Sequence, residues 1–168
     1  MILGWHSPTY HQMAGVYFYL PTGDYDPKRL TNPGRGYFGW APVYWFTWLP
    51  TPALEVSGNL TYVFNSRNSD TNYTSGNEAG LDYGIGYAAS DALQLGTSGY
   101  AYKQVTDDKL NGRVVGDGNK GQVFAIGPFV RYHPSPDWGV TFKWQYETAV
   151  ENRTQGNRFI LQLTYKLF

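Results

Sequence analysis

The stretch Arg158 to Phe168, RFILQLTYKLF, alternates almost to its end. Phe159, Leu161, Leu163, Tyr165 and Leu167 share one phase, and Arg158, Ile160, Gln162, Thr164 and Lys166 share the other. Strict alternation over this length specifies a β-strand with one apolar and one mainly polar face. A strand of about ten residues is also what a tilted strand needs to cross a bilayer. The chain stops on an aromatic, Phe168, which is out of phase with Tyr165 and Leu167.

Composition agrees with a strand that has lipid on one side and water on the other. Charged residues are 15% of the chain, against about 25% in an ordinary soluble domain. Aromatics reach 18%, with 15 Tyr, 9 Phe and 6 Trp, yet mean hydropathy is −0.44. No run approaches the roughly 18 apolar residues of a membrane-spanning helix. A transmembrane barrel reconciles these values, because an apolar outer face and a polar inner face average out. Tyr and Trp, apolar bodies with polar tips, suit the two membrane–water interfaces. With no cysteine there are no disulfides or thiolate metal sites. A formal net charge of zero gives no electrostatic case for nucleic acid.

Eight strands are expected: about Thr9–Leu20, Gly36–Trp48, Ala53–Asn65, Asn77–Ala89, Ala92–Val105, Gly121–His133, Trp138–Ala149 and the terminal strand. Leu49–Pro52, Ser90–Asp91 and Pro134–Asp137 are short, turn-like connections, whereas Pro21–Arg35, Ser66–Gly76, Thr106–Lys120 and Val150–Gly156 are longer and polar. Short turns on one rim and long loops on the other is the outer-membrane pattern. The expected fold is therefore all-β: an antiparallel, up-and-down transmembrane β-barrel of about eight strands, complete or part of a larger barrel, with residues 1–168 as a single domain. Pro42 and Pro128 fall inside the second and sixth strands, where local bulges are expected. No signal peptide leads the chain, so export implies one already removed or an upstream part of a longer protein.

Several segments resemble one family. Pro21-Thr22-Gly23-Asp24-Tyr25-Asp26 is followed by Leu30 and Asn32, and Tyr62 to Asn65 leads to Asn72-Tyr73-Thr74-Ser75-Gly76 and Asp82-Tyr83. Gly99-Tyr100-Ala101-Tyr102 runs into Gln104 and Thr106-Asp107-Asp108. Gly121-Gln122-Val123-Phe124-Ala125-Ile126-Gly127-Pro128 comes next, then Glu147, Asn152-Arg153 and Gly156. This order, over nearly the whole chain, resembles the MetA-pathway of phenol degradation family of bacterial outer-membrane proteins. The terminal aromatic similarly resembles the C-terminal signal of such proteins. The resemblance implies a porin-like, transporter-like barrel in the outer membrane of a Gram-negative bacterium, linked to uptake of aromatic or other hydrophobic compounds. It also implies lipid and lipopolysaccharide as surroundings and the barrel-assembly machinery as a partner of the last strand. Members of the family are usually longer, with more strands upstream of the region matched here.

The residues expected to line the lumen are Glu55, Glu78, Asp82, Lys143, Glu147, Arg158 and Lys166, with Phe129 as an inward aromatic by its phase with Ala125 and Gly127. Lys143 or Glu147 can pair with Arg158 or Lys166 on the neighbouring strand. Such residues either line a polar path or fill a narrow barrel, since eight strands enclose a space that side chains can fill. Trp48, Tyr132, Trp138, Tyr165 and Phe168 are the expected interface aromatics. The remaining tryptophans would stack solute or pack against lipid. Asp24/Asp26 and Asp107/Asp108/Asp117 are read as solvated loops rather than calcium loops, since their spacing matches none. GxSxG, HExxH, P-loop and paired-carboxylate motifs are lacking, so no catalytic residue, cofactor or metal is expected.

Three functions compete. The first is passive transfer of small hydrophobic or aromatic molecules through an outer-membrane barrel. The second is a structural or surface-interaction barrel with a packed lumen. The third is a soluble lipocalin-like ligand-binding barrel, which would put its apolar face inward.

Overall fold

The computed structural model describes residues 2–167, so Phe168 lies outside the described residues. Twelve strands follow in chain order. They are β1 (Ile2–His6), β2 (Tyr10–Tyr19), β3 (Gly39–Thr51), β4 (Leu54–Asn65), β5 (Tyr73–Thr74) and β6 (Glu78–Ala88). After them come β7 (Leu93–Gln104), β8 (Lys109–Leu110), β9 (Arg113–Val114), β10 (Gln122–Ser135), β11 (Trp138–Glu151) and β12 (Asn157–Tyr165). No helix occurs among the described residues.

Nine strands form one antiparallel sheet in the order β1-β2-β3-β4-β6-β7-β10-β11-β12, and β5, β8 and β9 form a second, small one. Apart from the excursions into the small sheet, each strand pairs with the next along the chain, so the topology is up-and-down. The sheet is open: β1 and β12 are its edges and do not pair with each other. The expected count of eight is corrected to nine in the large sheet, and β5, β8 and β9 add three short strands within segments expected to be loops. The extra strand, β1, carries only ILGWH, too short a run to show a period, and it forms because β2 offers its edge from Ile2↔Gly15 to His6↔His11. The eight expected strands each lie within about three residues of the observed boundaries, which is the usual uncertainty of element ends.

The bulges expected at the two prolines are absent. On either side of Pro42, Trp40↔Phe64 and Val43↔Thr61 keep one register; on either side of Pro128, so do Ile126↔Tyr146 and Phe129↔Lys143. Each proline stays paired on its other flank, Pro42 with Val16 and Pro128 with Thr97. A missing N–H costs a ladder only on the side toward which it would have pointed, so the register is kept and a local gap in pairing absorbs the loss. The register shifts lie elsewhere, between Trp48 and Thr51, between Gln122 and Phe124, and between Tyr132 and Ser135. Opposite the second of these, Ala149 takes a left-handed φ of 50°.

Cross-strand pairing separates two faces. One carries Leu60, Ile85, Leu95, Phe124, Ile126, Val130, Phe142, Trp144, Leu161 and Leu163, all exposed. The other carries Glu55, Asp82, Ser98, Arg131, Thr141, Lys143 and Gln145, together with Ala41, Val43, Val123, Ala125 and Phe129. Every strand residue of the buried hydrophobic set lies on this second, polar face. Apolar side chains exposed and polar ones covered is the reverse of a soluble sheet. The cover comes from curvature, because side chains from strands far apart in the sheet meet over the polar face.

Candidate functional site: a glycine-floored groove on the polar face

Glu55 of β4 is the centre of that meeting. Its carboxylate accepts hydrogen bonds from Ser57 Oγ (3.0 Å) and from Gln94 Nε2 of β7 (3.1 Å), and pairs with Arg131 Nη1 of β10 at 3.2 Å. Two strands, β6 and β7, run between Glu55 and Arg131. The reach is possible because the two residues facing each other in that gap are Gly86 and Gly96. Phe129 lies across both: a Cβ on Gly96 would stand 2.5 Å from the Phe129 ring, and one on Gly86 would stand 3.0 Å from it. Phe129 is only 6% exposed, and the Arg131 guanidinium sits 5.8 Å from its ring centre.

Beside this ring opens a groove of about 370 Å³, lined among others by Trp45, Glu55, Asp82, Phe129, Arg131 and Lys143. Lys143 pairs directly with Phe129 across β10 and β11, and no carboxylate of the described residues lies within 4 Å of its ammonium. Asp82 accepts a long hydrogen bond from Asn59 (3.4 Å). The groove thus offers aromatic surface from Trp45, Phe46, Tyr83 and Phe129, a closed ion pair and, among the described residues, the unpaired Lys143 ammonium.

Toward the long-loop rim a second cluster fills the same face. The Tyr100 hydroxyl of β7 donates a short hydrogen bond to Glu147 of β11, and the Arg158 guanidinium lies 4.9 Å from the Tyr100 ring centre. Glu147 also accepts the Gly156 N–H (2.8 Å), and the buried pair Gln145 and Ser98 bond at 3.3 Å. Glu78 accepts from Asn65 Nδ2 at 3.1 Å.

Glu55, Glu78, Asp82, Phe129, Lys143, Glu147 and Arg158 therefore share one face, as their phase requires. The groove gathers Glu55, Asp82, Phe129 and Lys143; Glu147 and Arg158 belong to the Tyr100 cluster; Glu78 stands apart at the loop end. Lys166 follows β12 as an exposed residue whose N–H bonds the Asp137 carbonyl (2.7 Å). The ion pairing considered between β11 and β12 does not form, because the register sets Lys143 opposite Ile160 and Arg158 opposite Gln145. The pair that does form, Glu55–Arg131, joins strands far apart in sequence. Arg131 and Gln94 were not singled out from the sequence; Trp45 was read there only among the tryptophans that would stack solute or pack against lipid, and Tyr100 only within the family motif. The available signal for Arg131 was its phase with Phe129, and for Trp45 its phase with Ala41 and Val43.

On the apolar face, aromatics gather near both rims. Trp48 pairs with Tyr10 and Trp138 with Tyr165 near the short turns, and the Tyr132 and Trp138 rings meet edge-on at 6.1 Å. Near the long loops Trp40 pairs with Phe18 and stacks on Phe64 at 4.3 Å. Trp45 lies on the polar face, whereas Trp5, Trp40, Trp48, Trp138 and Trp144 lie on the apolar one.

The loop carboxylates are engaged by the chain itself. Asp24 meets Arg29, Asp107 pairs with Lys120 (2.8 Å), and Asp108 accepts from Tyr73 Oη (2.5 Å), the Gly76 N–H (2.8 Å) and Gln104 Nε2 (2.9 Å). Burial and the bond to Asp108 together raise the Tyr73 hydroxyl above the ordinary tyrosine range. Among the described residues no three His, Cys, Asp or Glu side chains converge.

The family model described as "Putative MetA-pathway of phenol degradation" matches residues 1–163, and the chain belongs to that family. No curated protein and no solved structure matches it.

Proposed function

We propose that this member of the phenol-degradation family forms wall of a β-barrel in the bacterial outer membrane, through which small hydrophobic or aromatic solutes pass passively. The carrying observation is the reversal of the two faces, with the large apolar side chains exposed and the charges gathered on the covered face. In water that arrangement wastes apolar burial; in a bilayer the apolar face is solvated by lipid and the polar face surrounds water. The aromatic belts fit the same frame. Trp40 and Trp48, eight residues apart on β3, are separated by about 27 Å of strand, close to the roughly 25 Å apolar band of such barrels once tilt is allowed for. A lipocalin-like barrel would need the opposite orientation of faces.

Passage rests on the groove. Phe129 and Trp45 give an aromatic solute apolar surface, while Lys143 and the Glu55–Arg131 pair keep the path wetted. No energy source, cofactor or catalytic step is needed for diffusion along it. Lipid and lipopolysaccharide would surround the apolar face, and β12, with its terminal alternation, is the strand the assembly machinery would engage. Closure requires that the edges β1 and β12 be met, by each other or by further strands, since an unpaired edge has no place in hydrocarbon.

The competing reading, a barrel with a packed lumen and no passage, draws on one observation: Phe129 and the Glu55–Gln94–Arg131 bridge already cover the centre of the polar face. Proteoliposomes decide between them. Efflux of phenol-sized solutes above that of empty vesicles, reduced when Lys143 and Trp45 are replaced, supports passage. Leakage equal to empty vesicles overturns it. A folded band that shifts on boiling, seen with the 168-residue chain in detergent, would show that its own strands close.

A further inference from the structure

The β1–β2 hairpin carries a feature that passage does not use. Its closing pair is His6↔His11, and the two imidazoles face each other across the hairpin with Nδ1 to Nδ1 at 3.1 Å and ring centres 5.3 Å apart. The turn beneath them is tied by Ser7, whose N–H bonds the Tyr10 carbonyl (2.8 Å) and whose Oγ accepts the Tyr10 N–H (3.0 Å). Gly4 stands beside them on the same face, and a Cβ there would lie 3.5 Å from His6 Nε2 and 3.5 Å from Met13 Cγ. Both distances are ordinary van der Waals contact, so Gly4, His6 and Met13 are neighbours on that face.

We propose that His6 and His11 form a binding site for a divalent transition metal of the zinc and copper class, clipping the edge strand β1 to β2 at the short-turn rim. Two nitrogens that bind one ion at about 2.0–2.1 Å, across an angle between a right angle and the tetrahedral one, stand about 2.8–3.4 Å apart. The observed separation falls inside that window, so chelation needs the rings to turn but not to move apart. At 3.1 Å the two Nδ1 atoms cannot both carry a proton, so at least one lone pair already points into the gap. On binding, the donor ring takes its Nε2–H tautomer and both Nδ1 atoms turn to the metal. Water fills the remaining positions, and the Met13 thioether lies on the same face for a softer ion. Divalent copper is the strongest expected occupant, because imidazole sites follow the general affinity order that peaks at copper.

The inference does not depend on passage or on closure of the sheet. Its test is titration of the folded 168-residue chain with Cu²⁺, followed by electron paramagnetic resonance, and with Zn²⁺ by calorimetry. The wild type should take up one ion per chain with nitrogen hyperfine structure. His6→Gln and His11→Gln should each weaken binding at least about tenfold, while His133→Gln, on β10, should leave it unchanged. Hydrogen exchange should slow across residues 2–15 when metal is added. No saturable uptake by the wild type, or equal uptake by the two variants, would overturn the site; so would equal loss in His133→Gln. Circular dichroism of each variant keeps misfolding from imitating lost ligation.

Discussion

The middle of the large sheet and its two margins are built from the same alternating pattern but reach different states. On strands flanked on both sides, Thr141 and Gln145 of β11, Ser98 of β7 and Phe129 of β10 are nearly inaccessible. On β12, next door to β11, only Ile160 is even half-covered, and Phe159, Leu161, Leu163 and Tyr165 are between 67% and 75% exposed. β1 is exposed along its whole length. Local sequence does not separate these regions, since β12 alternates more cleanly than β10 does. What separates them is whether strands on both sides send long side chains over a glycine floor. Coverage of the polar face is a property of neighbours, and the two edge strands have a neighbour on one side only.

This contrast can be broken or sharpened by substitution. The largest effect is expected on the apolar face. Leu161→Arg should cost about 2–4 kcal/mol in a bilayer if β12 faces hydrocarbon near midplane, whereas Gln162→Arg on the polar face should cost little. Folding titrations into vesicles would measure both, and equal costs would abolish the distinction between faces. Next comes Arg131→Leu, which strands the Glu55 carboxylate among Gln94, Ser57 and Phe129. Because the Arg131 and Glu55 side chains are 38% and 26% exposed, solvent screens the pair and the loss should be about 1–2 kcal/mol, below that of a fully buried pair. Adding Glu55→Gln should recover part of it, as a shift in denaturation midpoint would show.

Gly96→Val should cost a further, similar or smaller amount, about 1–2 kcal/mol, because the new side chain meets the Phe129 ring and the Ile85 carbonyl. It should also change solute efflux if Phe129 borders the path. The smallest effect concerns the loop sheet. Tyr73→Phe removes one hydrogen bond to Asp108, about 1 kcal/mol. The raised Tyr73 hydroxyl means the folded state favours the neutral phenol, so its stabilising contribution is intact below pH 10 and is lost as pH climbs through the higher folded value. A difference ultraviolet titration of wild type against Tyr73→Phe should show one tyrosine ionising late.

Strand identity, face and family were legible in the sequence because each is carried by local order. A period of two assigns Phe159, Leu161 and Leu163 to one side and Arg158 and Gln162 to the other wherever the strand finally lies. The same phase placed Phe129, Lys143 and Glu147 together. Motif order along the chain identified the family. Three things needed the folded chain. Which charges pair depended on register and curvature, and so Glu55 met Arg131 across two intervening strands while Lys143 met no carboxylate among the described residues. Whether a proline bends a strand depended on which flank its missing N–H faces. Whether β1 exists at all depended on the edge that β2 offers. Periodicity is a property of one segment, but pairing, closure and the depth of a groove are properties of several, and only the tertiary arrangement brings those segments within reach of one another.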